Sequence, residues 1–224
     1  MVLLAALLLV PVGAGQALAA GPGTPWTWGG NSFGELGDGT TAGHLTAAPV
    51  VGFAAADAVE LGGGREHVIA LRADGTVWTW GSGQSGQLGS GSTANRPTPG
   101  QVTGLAGVAR VAAGHYHSMA LLGDGTVRAW GMNAQGQLGD GTLTRRGSPV
   151  QVRNLSGVTA IGSGRDHGLA VLGDGTARSW GANSFGQLGD GTTSNRTTPV
   201  TVGGLSGVSA VTAGRAYSAA LVAA

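Results

Sequence analysis

Gly173-Asp174-Gly175-Thr176-Ala177-Arg178-Ser179-Trp180-Gly181 is the stretch from which the architecture can be read. Its Asp-Gly step supplies the positive backbone angles that a tight hairpin turn requires. The residues after the turn lead into an indole followed at once by glycine. That Trp-Gly pair occurs at Trp28-Gly29, Trp80-Gly81, Trp130-Gly131 and Trp180-Gly181, at spacings of 52, 50 and 50 residues. The same turn precedes it at Asp74-Gly75-Thr76 and Asp124-Gly125-Thr126. A fixed period of this size marks a modular β array, most often the blades of a propeller.

Working outward through residues 148–180, Pro149-Val150-Gln151-Val152 alternates apolar and polar side chains and reads as a short strand. Val158-Thr159-Ala160-Ile161-Gly162 reads as a second, with β-branched residues. His167-Gly168-Leu169-Ala170-Val171-Leu172 is a third, and Thr176-Ala177-Arg178-Ser179-Trp180 a fourth. A single small sheet of this kind cannot bury both faces, so neighbouring sheets must stack around an axis. Small residues suit the crowded inner strands, as at Ala112-Ala113-Gly114 and Thr212-Ala213-Gly214. The tryptophans suit sheet-to-sheet packing, because an indole buries a large area.

The copies Ala113-Gly114-His115-Tyr116-His117-Ser118-Met119-Ala120-Leu121, Asp124-Gly125-Thr126-Val127, Trp130-Gly131 and Gly136-Gln137-Leu138-Gly139 resemble the regulator-of-chromosome-condensation repeat. The likeness covers nearly all of residues 24–224. It implies a β-propeller, commonly of seven blades, whereas this chain carries four copies. The expected fold is therefore all-β: a propeller or partial propeller of four four-stranded antiparallel blades. The first match, Pro25-Trp26-Thr27-Trp28-Gly29, has the sequence of a fourth strand, and the last, Ala216-Tyr217-Ser218-Ala219-Ala220-Leu221-Val222, that of a third. The N-terminal strand is thus expected to complete the last blade, as in the family resembled. Three arrangements satisfy the count: a closed four-bladed ring, an open arc whose faces self-association covers, and a longer array from which whole repeats were lost. The arc and the loss of repeats are favoured over a compact ring.

Composition narrows the function. Glycine, at 45 of 224 residues, is roughly three times its ordinary share and falls at turns rather than in a collagen triplet. Charged residues are 10% and hydrophobic ones 42%, which argues against disorder. A formal net charge of +1 gives no strong field for nucleic acid or an anionic membrane. All twelve basic residues are arginine. Residues 1–20 read as a signal peptide, with an apolar run over 2–12 too short to span a bilayer and a small-x-small site at Ala17-Leu18-Ala19, although no basic residue precedes the run. The propeller repeats then occupy 21–224, and the expected location is secreted, extracellular or in a bacterial envelope, with no membrane association after cleavage. The absence of cysteine excludes disulfides and thiolate metal sites.

The recurring polar residues read as scaffold. His67, His117 and His167 each precede an aspartate by seven residues, at Asp74, Asp124 and Asp174. Seven residues along a strand span about 20 Å, too far for a dyad or a shared metal. Histidine is expected to satisfy backbone groups at a strand start, and aspartate to shape the turn. Asp38, Asp140 and Asp190 lie in Leu-Gly-Asp-Gly-Thr, which matches neither common calcium-loop spacing. No nucleophile elbow, zinc-protease helix or phosphate loop is present. The sequence therefore implies no catalytic residue, no metal site and no cofactor. Phe33 and Phe185 are expected to pack beneath their loops, and Arg145-Arg146 to be a solvated pair.

The positions that differ between copies are the informative ones. The connection after the inner strand reads Arg65-Glu66, His115-Tyr116, Arg165-Asp166 and Arg215-Ala216. In a propeller these tips lie side by side on one end, forming a basic rim with one tyrosine and two acids. Arginine and tyrosine are frequent interface anchors. The leading expectation is a secreted, non-catalytic module that binds a protein through Arg65, Glu66, His115, Tyr116, Arg165, Asp166 and Arg215. Guanine-nucleotide exchange, an activity of nuclear members of the family, fits poorly with an export signal and near-neutral charge. The alternative is a cell-wall or glycan-binding accessory domain of a hydrolytic system, for which only Glu66 and Asp166 offer carboxylates. A lesser option, by resemblance of architecture and export, is an inhibitor of a secreted enzyme such as a β-lactamase.

Overall fold

The turn chemistry read from the sequence sets the strands. In each Asp-Gly-Thr turn the aspartate accepts from the following threonine: Asp74 Oδ1 takes the Thr76 backbone N–H at 2.9 Å and its hydroxyl at 2.6 Å. Gly75, at φ +80°, lets the chain reverse there. A computed structural model describes residues 22–53 and 57–223. The signal-peptide expectation for 1–20 lies outside the described residues.

Sixteen strands and no helix are present among the described residues. β1 (Trp26–Gly29) and β2 (His44–Pro49) form a two-stranded sheet. The first complete sheet is β3 (Ala58–Gly63), β4 (His67–Arg72), β5 (Val77–Gly81) and β6 (Arg96–Gln101). The second is β7 (Val108–Ala113), β8 (His117–Leu122), β9 (Val127–Gly131) and β10 (Arg146–Gln151). The third is β11 (Val158–Ser163), β12 (His167–Leu172), β13 (Ala177–Gly181) and β14 (Arg196–Thr201). β15 (Val208–Ala213) and β16 (Ser218–Val222) make a second two-stranded sheet. Every pairing is antiparallel, in the order inner strand, second, Trp-Gly strand, outer strand.

Two expectations need correction. The strand read at Pro149 does not open a repeat. It belongs to β10, which pairs with β9 and is the outer strand of the preceding sheet. Alternation identifies a strand but not its neighbour, and the loop before β10 returns the chain to the sheet it has just left. The N-terminal strand also does not complete the last sheet: β1 pairs with β2, and β16 with β15. The result is an arc of three complete sheets flanked by two halves. By strand type the halves are complementary, since β15–β16 are an inner and a second strand, and β1–β2 a Trp-Gly strand and an outer strand.

Packing between sheets supplies the core. Trp130 of the second sheet is fully buried among Ile69, Leu71, Val77 and Val102 of the first. Trp180 of the third is buried among Met119, Leu121, Val127 and Leu138 of the second. Trp80 packs with Val50 and Phe53. Each indole also donates to a backbone carbonyl of the preceding repeat's loop: Trp80 to Glu35 (2.8 Å), Trp130 to Gln87 (2.9 Å) and Trp180 to Gln137 (3.0 Å). Burying the ring while satisfying its N–H removes the polar penalty of putting tryptophan in a core. Glu60 ties the first sheet to the second, accepting from the Val111 N–H at 2.9 Å and from Arg110 Nε at 3.2 Å.

Candidate functional rim

The tips joining inner and second strands are tied together across the sheets. The Arg65 N–H donates to the His115 carbonyl (3.2 Å), the His115 N–H to that of Arg165 (3.0 Å), and the Arg165 N–H to that of Gly214 (3.1 Å). The four variable connections therefore form one continuous ridge. Arg65, His115, Arg165 and Arg215 line a shallow concavity of about 560 Å³, floored by Gly64, Gly114 and other small residues of the inner strands. Glu66, Tyr116 and Asp166 sit beside it as partners of the arginines.

Those partners fix the guanidinium groups. Arg65 donates to the Tyr116 hydroxyl at 2.6 Å and contacts Glu66 at 3.2 Å. Its guanidinium carbon also stands 5.6 Å from the tyrosine ring centroid, within cation–π range. Arg165 contacts Asp166 at 3.1 Å. The His115 ring stacks at a tilt on Tyr116, with centroids 4.6 Å apart. Burial, then the charges of Arg165 and Arg65, hold the His115 pKa below its usual value against the opposing pull of Asp166 and Glu66. Its ring is thus neutral near pH 7. Arg215 is followed by Ala216 where the others are followed by an acid or tyrosine, and no carboxylate pairs with it among the described residues. The concavity is a cationic surface, and beside it Glu66 and Asp166 are engaged by Arg65 and Arg165.

The buried histidines do more than the backbone capping expected of them: all three bridge sheets through their side chains, and His167 also bonds the Tyr217 backbone. His67 Nε2 meets Ser118 Oγ at 2.9 Å, and His167 Nε2 meets Ser218 Oγ at 3.0 Å. Gly168 stands where the matching serine would be for His117, and Ser163 supplies the hydroxyl from the inner strand, at 3.0 Å. Desolvation pulls all three pKa values down, to about 4 for His67 and His167 and about 3 for His117.

The loops between Trp-Gly strand and outer strand are organised by an asparagine that the sequence reading passed over. Asn133 Nδ2 donates to Asp140 Oδ1 (3.1 Å) and to the Thr142 and Thr144 carbonyls, while its Oδ1 accepts from the Leu138 N–H. Asn31 and Asn183 repeat this set. The signal was present as a recurring Asn five residues before Leu-Gly. Asp140 and Asp190 spend their second oxygen on Arg146 and Arg196, at 2.8 and 2.7 Å. For Asp190 burial opposes ionisation, but hydrogen bonds from Thr192, Arg196 and Asn183 outweigh it and bring the pKa to about 2. These carboxylates are loop locks. The Arg145-Arg146 pair is likewise not merely solvated, since Arg145 reaches the Gln84 carbonyl at 2.9 Å. Phe185 does not pack beneath its loop; it is 79% exposed.

Residues 10–224 match the family model of the RCC1-like domain. Among curated proteins, the mitochondrial RCC1 domain-containing protein RUG3 of Arabidopsis thaliana is 38% identical over 84 residues, which is 38% of this chain and 19% of that protein. The human E3 ubiquitin-protein ligase HERC2 is 35% identical over 89 residues, 40% of this chain and 2% of that protein. The chain thus matches only a small part of these relatives. Among solved structures, human WBSCR16 superposes with TM-score 0.81 at 22% identity, over 91% of this chain and 54% of that one. Prp20p of Saccharomyces cerevisiae, studied for its binding to Gsp1p and histones, gives TM-score 0.77 at 22% identity, over 88% and 51%.

Proposed function

The chain belongs to the RCC1-like domain family, and on that premise we propose that it is an exported, non-catalytic binding module that captures a protein partner on the rim built from Arg65, Glu66, His115, Tyr116, Arg165, Asp166 and Arg215. One observation carries this reading: backbone hydrogen bonds from tip to tip place the variable residues of four repeats on a single ridge. Variation concentrated on a rigid scaffold is how loop residues acquire recognition roles. Arginine fixed by a phenol and by carboxylates has little rotamer freedom left to lose, which lowers the cost of binding. The partner that suits the surface presents acidic side chains or backbone carbonyls to Arg65, Arg165 and Arg215. Protein binding by Prp20p is consistent with this use of the fold. Export rests on the apolar run and small-residue site within residues 1–20.

The test is a pull-down against secreted and envelope fractions with the wild-type chain and with the triple variant Arg65→Ala/Tyr116→Ala/Arg165→Ala. The expected outcome is one stoichiometric protein partner for the wild type, lost in the variant, with an unchanged melting temperature because these side chains are outside the core. Undiminished capture by the variant, or retention on polysaccharide instead of protein, contradicts the assignment.

A further inference from the structure

Three of the four Trp-Gly tryptophans, Trp80, Trp130 and Trp180, each occupy a socket on the preceding repeat. The sockets for Trp80, Trp130 and Trp180 share a glycine at their floor: a Cβ on Gly37, Gly89 or Gly139 would come within 2.9–3.0 Å of the indole. Each also presents a loop carbonyl that takes the indole N–H, from Glu35, Gln87 and Gln137. In the second sheet that carbonyl serves twice, since Gln87 O accepts both Trp130 Nε1 and Ser118 Oγ.

The third sheet carries a fourth socket of the same construction. Gly189, Val202, Leu188, Gln187, Phe185 and Tyr217 are among the residues lining an open cavity of about 280 Å³. Gln187 O accepts Ser218 Oγ at 2.7 Å, as Gln87 O accepts Ser118, but no indole meets Gly189. At the opposite end of the arc Trp28 is 65% exposed and Trp26 53%. Beside the socket, β16 offers an unpaired strand edge among the described residues, with Leu221 62% exposed. An apolar strand edge of this kind is ordinarily covered.

We propose that the socket and β16 of one copy of this chain receive Trp28 and β1 of a second copy, so that two arcs close into one ring. The internal repeats dictate the register. His67↔Gly81, Val68↔Trp80, Ile69↔Thr79 and Ala70↔Trp78 in the first sheet translate to Tyr217↔Gly29, Ser218↔Trp28, Ala219↔Thr27 and Ala220↔Trp26 between copies. β15–β16 and β1–β2 then make a full sheet with the strand order of the other three, and Trp28 Nε1 reaches Gln187 O. The arc superposes on about half of human WBSCR16, so its two ends point to opposite sides of the ring axis, where a copy related by a two-fold along that axis meets both. The closed assembly holds six complete and two composite sheets, within the range of propeller rings. This inference is independent of the rim reading.

The experiment uses the full chain, which contains no cysteine. Trp26→Cys and Ala220→Cys are made as separate single variants, mixed and oxidised. The expected product is a disulfide-linked species of two chains that forms in the mixture and much less in either variant alone. Sedimentation equilibrium of the wild type is expected to give twice the chain mass, and Trp28→Ala to weaken dimerisation by about tenfold or more, the effect of truncating an interface anchor. Circular dichroism of Trp28→Ala should match the wild type. A wild type that stays monomeric across the concentration range overturns the proposal. So does an intrachain disulfide in the double variant Trp26→Cys/Ala220→Cys, or association unaffected by Trp28→Ala. Loss of the rim partner alone leaves these readouts unmoved, so the two proposals fail separately.

Discussion

Trp130 has no exposed surface, touches residues of two sheets and gives its N–H to Gln87. Truncating it removes a large apolar area and opens a cavity that the strands around it cannot collapse to fill. Trp130→Ala is expected to cost about 3–5 kcal/mol, measured by chemical denaturation. A loss below about 1 kcal/mol would mean the sheets do not depend on the indoles for cohesion. The tryptophans were legible in the sequence because they recur at a fixed interval and have few other uses in a sheet of this size. Asn133 was not, because a lone asparagine in a glycine-rich loop looks like any turn former until its partners Asp140, Thr142 and Leu138 are placed around it. Phe185 escaped for the reverse reason: an aromatic ring in a loop was expected to pack beneath it, but this ring lines an open socket.

The turn between β3 and β4 shows how one element depends on a glycine position. A Cβ on Gly64 would lie 2.2 Å from His67 Cε1 and 2.7 Å from the Gly114 carbonyl, whereas one on Gly63 meets nothing within 4 Å. Gly64→Ala must therefore push the buried ring or the neighbouring tip aside and is expected to destabilise by about 1–3 kcal/mol, the usual cost of overpacking. Gly63→Ala, at the end of β3 next to the turn, should change stability by under about 0.5 kcal/mol. Equal melting temperatures for the two variants would show that the His67–Ser118 contact does not constrain the turn. At this scale the sequence located most strands, since β11, β12 and β13 fall where alternation and Asp-Gly placed them. It misassigned β10 because the residues 132–145 preceding it form a long loop, and a long loop looks like a boundary between units. The return of the chain is enforced by contacts at a distance, Arg146 to Asp140 and Asn133 to Thr144, that no local pattern announces.

Across the whole arc, three histidines sit in one buried row that crosses every interface from the first sheet to β16. Their folded pKa values, about 4, 3 and 4, lie below the unfolded value near 6.5 because burial disfavours the charged ring. Between those limits the unfolded chain binds more protons than the folded one, so stability rises with pH and is fully present above about pH 6.5. It declines as pH falls from there through the folded values. Each complete shift is on the order of 3 kcal/mol, comparable to the net stability of many domains when three act together. Asp190, depressed to about 2, and Asp140, also lowered, add losses only once pH drops below the ordinary carboxylate range. Glu60, raised by burial, works in the opposite direction. The expected melting temperature is flat from pH 8 to about 7 and falls steeply between about 6 and 4, a decline that begins above the ordinary carboxylate range. His117→Gln, which cannot titrate, should start less stable at pH 8 and lose less on acidification. A melting temperature that holds level down to pH 4 would mean the histidines accept protons in the folded state, and that the sheets part easily enough to admit water.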